Sequence, residues 1–209
     1  MKLYYSPGAC SLAAHIAFEE IGISPQLESV DLKTKRTASG ADFMRINPKG
    51  YVPALALDDG TLVTENIAVL DWIAAEHPVL ALEGPHARTR LLSVLGYLST
   101  EVHKSFKPLF VGTDEDDKAR ARTLIAQKLN FLAARAQGPY LLGAHVTVAD
   151  AYLFVMLLWA MRFGIALPPA LRALFGALVA RAAIQRAMAA EGLRVPLAEG
   201  ASRTRAEVS

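Results

Sequence analysis

A small α/β domain followed by an all-helical one, α/β plus all-α, is the fold class this sequence predicts. Three observations lead there. Residues 1–78 alternate short β-prone runs with stretches of helical periodicity. From residue 86 onward no convincing strand is present. The charge also changes character: residues 1–78 hold 6 basic and 10 acidic residues, within a chain of 22 Lys+Arg and 20 Asp+Glu. We therefore place a first domain at 1–78, a linker at 79–85, a helical domain at 86–200 and a frayed polar tail at 201–209.

The elements follow in order. Leu3-Tyr4-Tyr5 is β-prone and is stopped by Ser6-Pro7-Gly8. From Ser11 to Ile21 the apolar positions Leu12, Ala13, Ile16, Ala17 and Ile21 step by three and four, which predicts a helix ended by Gly22. Leu27 to Leu32 reads as a strand, and Ala41 to Ile46 as a short helix stopped by Asn47-Pro48. Val52 to Leu57, the turn Asp58-Asp59-Gly60 and Thr61 to Val63 make a hairpin. Ile67 to His77 is a helix closed by Pro78. The order is βαβ, α, ββα, a mixed sheet with helices on it. In the second half, Ala87 to Phe110 reads as one long helix with Pro108 near its end as a kink or stop. Thr113 is a candidate cap for the next helix, with Asp114 to Asp117 in its first turn. Val148 to Phe163 is very apolar, Pro168-Pro169 opens another helix, and Ala182 to Glu191 belongs to a last one.

Composition excludes several classes. With 53% hydrophobic and 20% charged residues the chain is not disordered. Its length allows a full core, burying roughly 70% of the unfolded surface. One cysteine excludes a disulfide framework and a Cys-based zinc site. A net charge of +2 does not announce nucleic acid or an acidic membrane. The most apolar window, Ala151 to Met161, is far short of the ~20 residues that span a bilayer. With no signal-like apolar run after Met1-Lys2, a reducing, cytoplasmic compartment is expected.

Several residues could carry chemistry. Cys10 directly precedes a helix, where backbone N–H groups favour a thiolate, so an acidic thiol is expected. The alternative is a small buried hydrophobe. Ser11 either caps the helix or donates to a bound sulfur. Pro53 is either an ordinary edge-strand proline or a cis-proline beside a site. In the second case its predecessor, Val52, can pair with a peptide-like ligand. Glu65-Asn66 opens a helix: either plain dipole chemistry or recognition of a zwitterion, with N–H groups for a carboxylate and Glu65 for an ammonium. Glu101, His103 and Lys104 lie within one turn, where Glu101 and Lys104 could be a surface pair. No second His or Cys stands at ligand spacing, so no metal is expected. Thr147-Val148-Ala149-Asp150 fits a capping box with Asp in the acid position, a structural feature.

Taken together, five segments resemble the cytosolic glutathione transferases, specifically the bacterial beta class. They are Met1 to Ser11, Asn47 to Pro53 (NPKGYVP), Leu62 to Asn66 (LVTEN), Ser99 to Lys104 (STEVHK) and Thr147 to Tyr152 (TVADAY), in the family's order. The resemblance implies a thioredoxin-like N-terminal domain, an all-helical C-terminal domain and a homodimer. It implies conjugation of the glutathione thiol to small apolar electrophiles, with thiol–disulfide exchange through Cys10 as competing chemistry. A non-catalytic protein that binds glutathione or apolar ligands is the alternative. No cofactor is implied beyond glutathione as co-substrate, nor any nucleic-acid or membrane partner.

Carried over, the catalytic residues are Cys10, Ser11 and His103. Cys10 sits against the glutathione sulfur and can form a mixed disulfide with it. Val52, ahead of cis-Pro53, pairs with the cysteinyl unit, and Glu65 and Asn66 hold the γ-glutamyl end. Lys35 and His103 lie toward the glycyl and thiol side, and Lys104 is a further glutathione-binding residue. Thr100 and Glu101 reach the site, the acid from the second subunit. Phe106, Trp159 and Arg162 wall the electrophile pocket. Gly96 departs from the pattern, standing where several relatives carry a polar amide.

Overall fold

The computed structural model describes residues 1–194. The tail expected at 201–209 and the expected end of the helical domain at 200 lie outside the described residues.

The first part is a five-stranded sheet with helices. Its strands are β1 (Lys2–Tyr5), β2 (Gln26–Asp31), β3 (Arg36–Thr37), β4 (Ala54–Ala56) and β5 (Leu62–Thr64), in the order β3-β2-β1-β4-β5. β1 and β2 run parallel, joined by α1 (Leu12–Glu20), and the other neighbours are antiparallel. This is the thioredoxin-like arrangement. Alternation along the strands sorts the side chains: Leu3 and Leu55 enter the main core, whereas Tyr4, Val30 and Ala54 face the short helix α2 (Phe43–Ile46) with Phe43. The hairpin forms at Asp58-Asp59-Gly60, where Leu57 N donates to Thr61 O at 2.8 Å. β3, only two residues long, has no signature in the sequence and exists through its pairing with Val30 and Asp31.

Helix α3 (Asn66–Glu76) closes the first part, and helices fill the rest: α4 (Ala87–Tyr97), α5 (Lys107–Val111), α6 (Glu115–Ala133), α7 (Val148–Arg162), α8 (Pro169–Val179) and α9 (Ala182–Ala190). The long helix expected over Ala87 to Phe110 is broken. After α4 the chain widens into a π-helical turn, Leu98–His103, then breaks at Phe106 and restarts as α5. Pro108 lies in the first turn of α5, where its missing N–H is not needed, so it starts a helix rather than ending one. The cap of α6 is Asp114, not Thr113: its carboxylate accepts from Asp117 N at 2.9 Å. The remaining acids of that run sit in the first turn, two of them bonded to Lys118 and Arg120, and no cluster able to hold a metal occurs among the described residues.

Both parts share one core. Every residue of α1 from Leu12 to Phe18 is buried, because α1 packs on α3 as well as on α7 and α9. Twelve of the fifteen residues of α7 are buried. Its start is tied down by Asp150, which accepts from Thr147 N (2.8 Å), Thr147 Oγ1 (2.9 Å) and Leu141 N (2.8 Å). No single described helix is long and apolar enough to cross a membrane.

Candidate active site

The β1–α1 loop carries Cys10 and is gripped from the helical part. Gly8 N donates to Glu191 at 2.9 Å, and Gly8 O accepts from Trp159 Nε1 at 2.9 Å. Glu191 is itself buried and bonded to His15 Nδ1 at 2.9 Å. Gly8 is thus fixed through both of its backbone polar groups, which belong to successive peptide units. Inside the loop, Ser11 is fully buried and its hydroxyl bridges Ser6 N (3.2 Å) and Ser6 O (3.4 Å).

Opposite Cys10 lies the cis peptide Val52–Pro53. The Cys10 thiol donates to Val52 O at 3.3 Å. Burial pushes the thiol up from 9.0 to about 12, against the pull of the Cys10 and Ser11 backbone N–H groups. The acidic thiol expected from the sequence is therefore corrected. Two N–H groups do face the sulfur, but desolvation outweighs them, and the carbonyl acceptor suits S–H rather than S⁻. The chain before Val52 is held by Asn47 Nδ2, which donates to Tyr51 O at 2.8 Å. Gly50 sits at φ 67, where a side chain would be strained, and a Cβ there would stand 2.9 Å from Met44 Sδ, so glycine is favoured. Lys35, also left-handed at φ 58, donates to Gly50 O at 2.9 Å.

At the next corner Glu65 adopts φ 74, rare for a non-glycine residue and found where surrounding structure enforces it. Its exposed carboxylate pairs with Lys49 Nζ at 2.7 Å. Such a surface pair is worth at most about 1 kcal/mol and yields readily to a ligand. Asn66 begins α3; its amide is buried and neither polar atom has a hydrogen-bond partner.

From the helical side, the π-helical turn presents His103. Its Nδ1 lies 2.7 Å from Tyr152 Oη, and Trp159 approaches its ring edge-on at 5.0 Å. Burial and the nearby Lys104 charge push His103 down from 6.5 to about 4, so it is neutral at working pH. Lys128 secures the turn from α6 by donating to Glu101 O (2.8 Å), Glu101 Oε2 (2.9 Å) and Ser105 Oγ (2.9 Å). Beside it, Trp159 forms edge-on contacts with Phe106 (5.4 Å) and Phe110 (4.8 Å), and the Arg162 guanidinium lies 5.8 Å from the Phe110 ring. A separate hollow of about 840 Å³ shares Gly8, Trp159 and Arg162 but includes neither Cys10 nor His103.

Residues 8–76 match the glutathione S-transferase N-terminal domain and residues 115–180 the glutathione S-transferase C-terminal domain. The chain is 41% identical over 201 residues to glutathione S-transferase GstA of Escherichia coli O157:H7, covering 93% of this chain and all of that protein. This chain is a glutathione S-transferase family member. Two solved structures resemble it closely. A sphingomonad glutathione S-transferase complexed with glutathione has 45% identity and a TM-score of 0.87, covering 93% of this chain and all of the other. The bacterial beta class transferase of Sphingomonas chungbukensis has 41% identity and a TM-score of 0.86, with the same coverage.

Within this glutathione S-transferase the expected site residues divide. Cys10, Val52 and Pro53 are brought together, with Lys35 and Glu65 at neighbouring corners, while His103 meets the Cys10 loop through Trp159, which packs on its ring and donates to Gly8 O. Ser11 is corrected: its hydroxyl is spent inside the loop rather than offered to a sulfur. The Asn66 side chain, expected to hold the γ-glutamyl end, lies under the surface at the start of α3. Phe106, expected to wall the electrophile pocket, is fully buried against Trp159, and the exposed aromatic of that cluster is Phe110, 42% accessible. The i,i+4 spacing of these two phenylalanines was the available signal. Thr100 is exposed and bonds Gly96 O at 3.0 Å, while Lys104 is exposed beside His103. Glu101 is exposed and paired within its own chain to Lys128. Lys49, Lys128, Tyr152 and Glu191 were not singled out in the sequence. Their partners lie 16 to 183 residues away, and nothing local marks them.

Proposed function

We propose that this glutathione S-transferase conjugates the glutathione thiol to small apolar carbon electrophiles, a detoxifying reaction. The observation that carries this reading is the strained Glu65 corner, φ 74, at the start of α3, facing the same edge as Val52. It sets a carboxylate and a helix N-terminus side by side, which suits the ammonium and carboxylate of a γ-glutamyl group. The Val52 peptide pairs with the cysteinyl unit, and Lys35 and Lys49 supply cations for the carboxylates. Chemistry then requires only a stabilised thiolate held near the electrophile. Neutral His103 supports the sulfur as a donor. Phe110, Trp159 and Arg162 receive the electrophile.

The relatives' glutathione complexes support this reading. A single cysteine and glutathione chemistry suit a reducing compartment such as the cytoplasm. We also place the active protein as a homodimer, with Thr100 and Glu101 of the second subunit beside the site. Calorimetric titration with glutathione, turnover of a chloronitrobenzene and sedimentation of the same preparation test this. Glu65→Gln is expected to weaken glutathione binding about tenfold or more. Binding without turnover would leave a storage protein. An active monomer at micromolar concentration would remove the shared site.

A further inference from the structure

Tyr152 has no part in the reading above, yet it touches His103 directly. Its side chain is completely buried, and Tyr152 Oη stands 2.7 Å from His103 Nδ1. A buried phenol must place its proton on an acceptor. Burial pushes Tyr152 ionisation upward, so the group remains O–H. Among the described residues the one hydrogen bond of that oxygen is to His103 Nδ1, so the phenol proton is directed to the imidazole. Trp159 links the pair to the loop that carries Cys10, packing on the His103 ring and donating to Gly8 O.

We propose that Tyr152 is a positioning residue that donates to His103 Nδ1 and thereby holds the imidazole proton on Nε2, the tautomer able to donate to a thiolate. This rests on the glutathione reading of the site. The hydroxyl keeps its own proton throughout, and no proton transfer is involved. The second nitrogen of an imidazole takes its role from the bond the first one makes. Trp159, edge-on at 5.0 Å, limits rotation of the same ring. The Lys128 clamp holds the turn that carries it.

The test is nitrogen NMR of histidine-labelled, ligand-free protein at neutral pH, with His103→Gln assigning the signal. The expected spectrum shows an unprotonated, hydrogen-bonded Nδ1 and a protonated Nε2. In Tyr152→Phe the Nδ1 signal moves toward that of an unbonded nitrogen. The same variant is expected to lose about tenfold in kcat with the Kd for glutathione within about twofold. A protonated Nδ1 in the unsubstituted protein overturns the proposal whether or not the variant folds. So does an unchanged kcat in a folded Tyr152→Phe. Failure of the unsubstituted protein to bind glutathione would instead sink the functional reading, and the NMR spectrum would still decide the tautomer.

Discussion

Cys10 is expected to behave as a suppressed thiol in the ligand-free protein, and a pH ramp tests this directly. At pH 8 a thiol titrating at 9.0 is about 9% ionised, whereas one titrating at about 12 is about 0.01% ionised. The thiolate population therefore falls about 1,000-fold. A more basic thiolate is also a better nucleophile. With a Brønsted slope near 0.5, a three-unit rise recovers about 30-fold, so the net loss is about 30-fold. The assay is iodoacetamide labelling read by mass spectrometry from pH 7 to 10.5, with the urea-unfolded chain as reference. The folded protein is expected to react at least about 30-fold more slowly at pH 8, its rate climbing about tenfold per pH unit without a plateau. A plateau below pH 8.5 would refute the reasoning, since helix N–H groups would then outweigh desolvation. The linkage has a definite sign. The unfolded chain releases this proton near 9 and the folded one near 12, so stability is present below 9 and falls as the pH rises above it. The same suppression predicts slow thiol–disulfide exchange through Cys10 in this state, whereas conjugation, whose nucleophile belongs to glutathione, is not expected to be limited by it.

His103 titrates at about 4 in the folded protein and at 6.5 when unperturbed, so kcat should show no histidine inflection near 6.5. Stability should fall as the pH drops from 6.5 toward 4, because the unfolded chain takes up the proton first; urea midpoints at pH 7 and 5 measure this, and His103→Gln should lessen the difference. Asp150→Ala removes the shared partner of Thr147 N, Thr147 Oγ1 and Leu141 N inside the core. It should cost about 3 kcal/mol or more by urea unfolding, with the activity of the folded fraction retained; a loss below about 1 kcal/mol would show that water replaces those bonds.

What the sequence determined by itself is what neighbouring residues decide. Asp58-Asp59-Gly60 turned the hairpin, Asn47-Pro48 stopped α2, and Thr147 to Asp150 opened α7, because each bond in these features closes within a few residues. Periodicity placed α1 for the same reason. The residues of the site were legible through ordered segments, but their states were not. Cys10 stands before a helix, as the sequence indicated, yet its ionisation depends on burial beneath the chain at Val52, 42 residues away. Ser11 was readable as a cap or a donor, and only the folded loop spent its hydroxyl on Ser6. The widened turn at Leu98–His103 is held by Lys128 reaching across from α6, and the aim of His103 by Tyr152, 49 residues on. Gly8 is locked by Trp159 and Glu191, 151 and 183 residues away. Helical and turn preferences act over one turn of chain, whereas desolvation and buried hydrogen bonds exist only once distant segments have excluded water together. That is why the site's composition could be read along the chain, and its chemistry only from the packed structure.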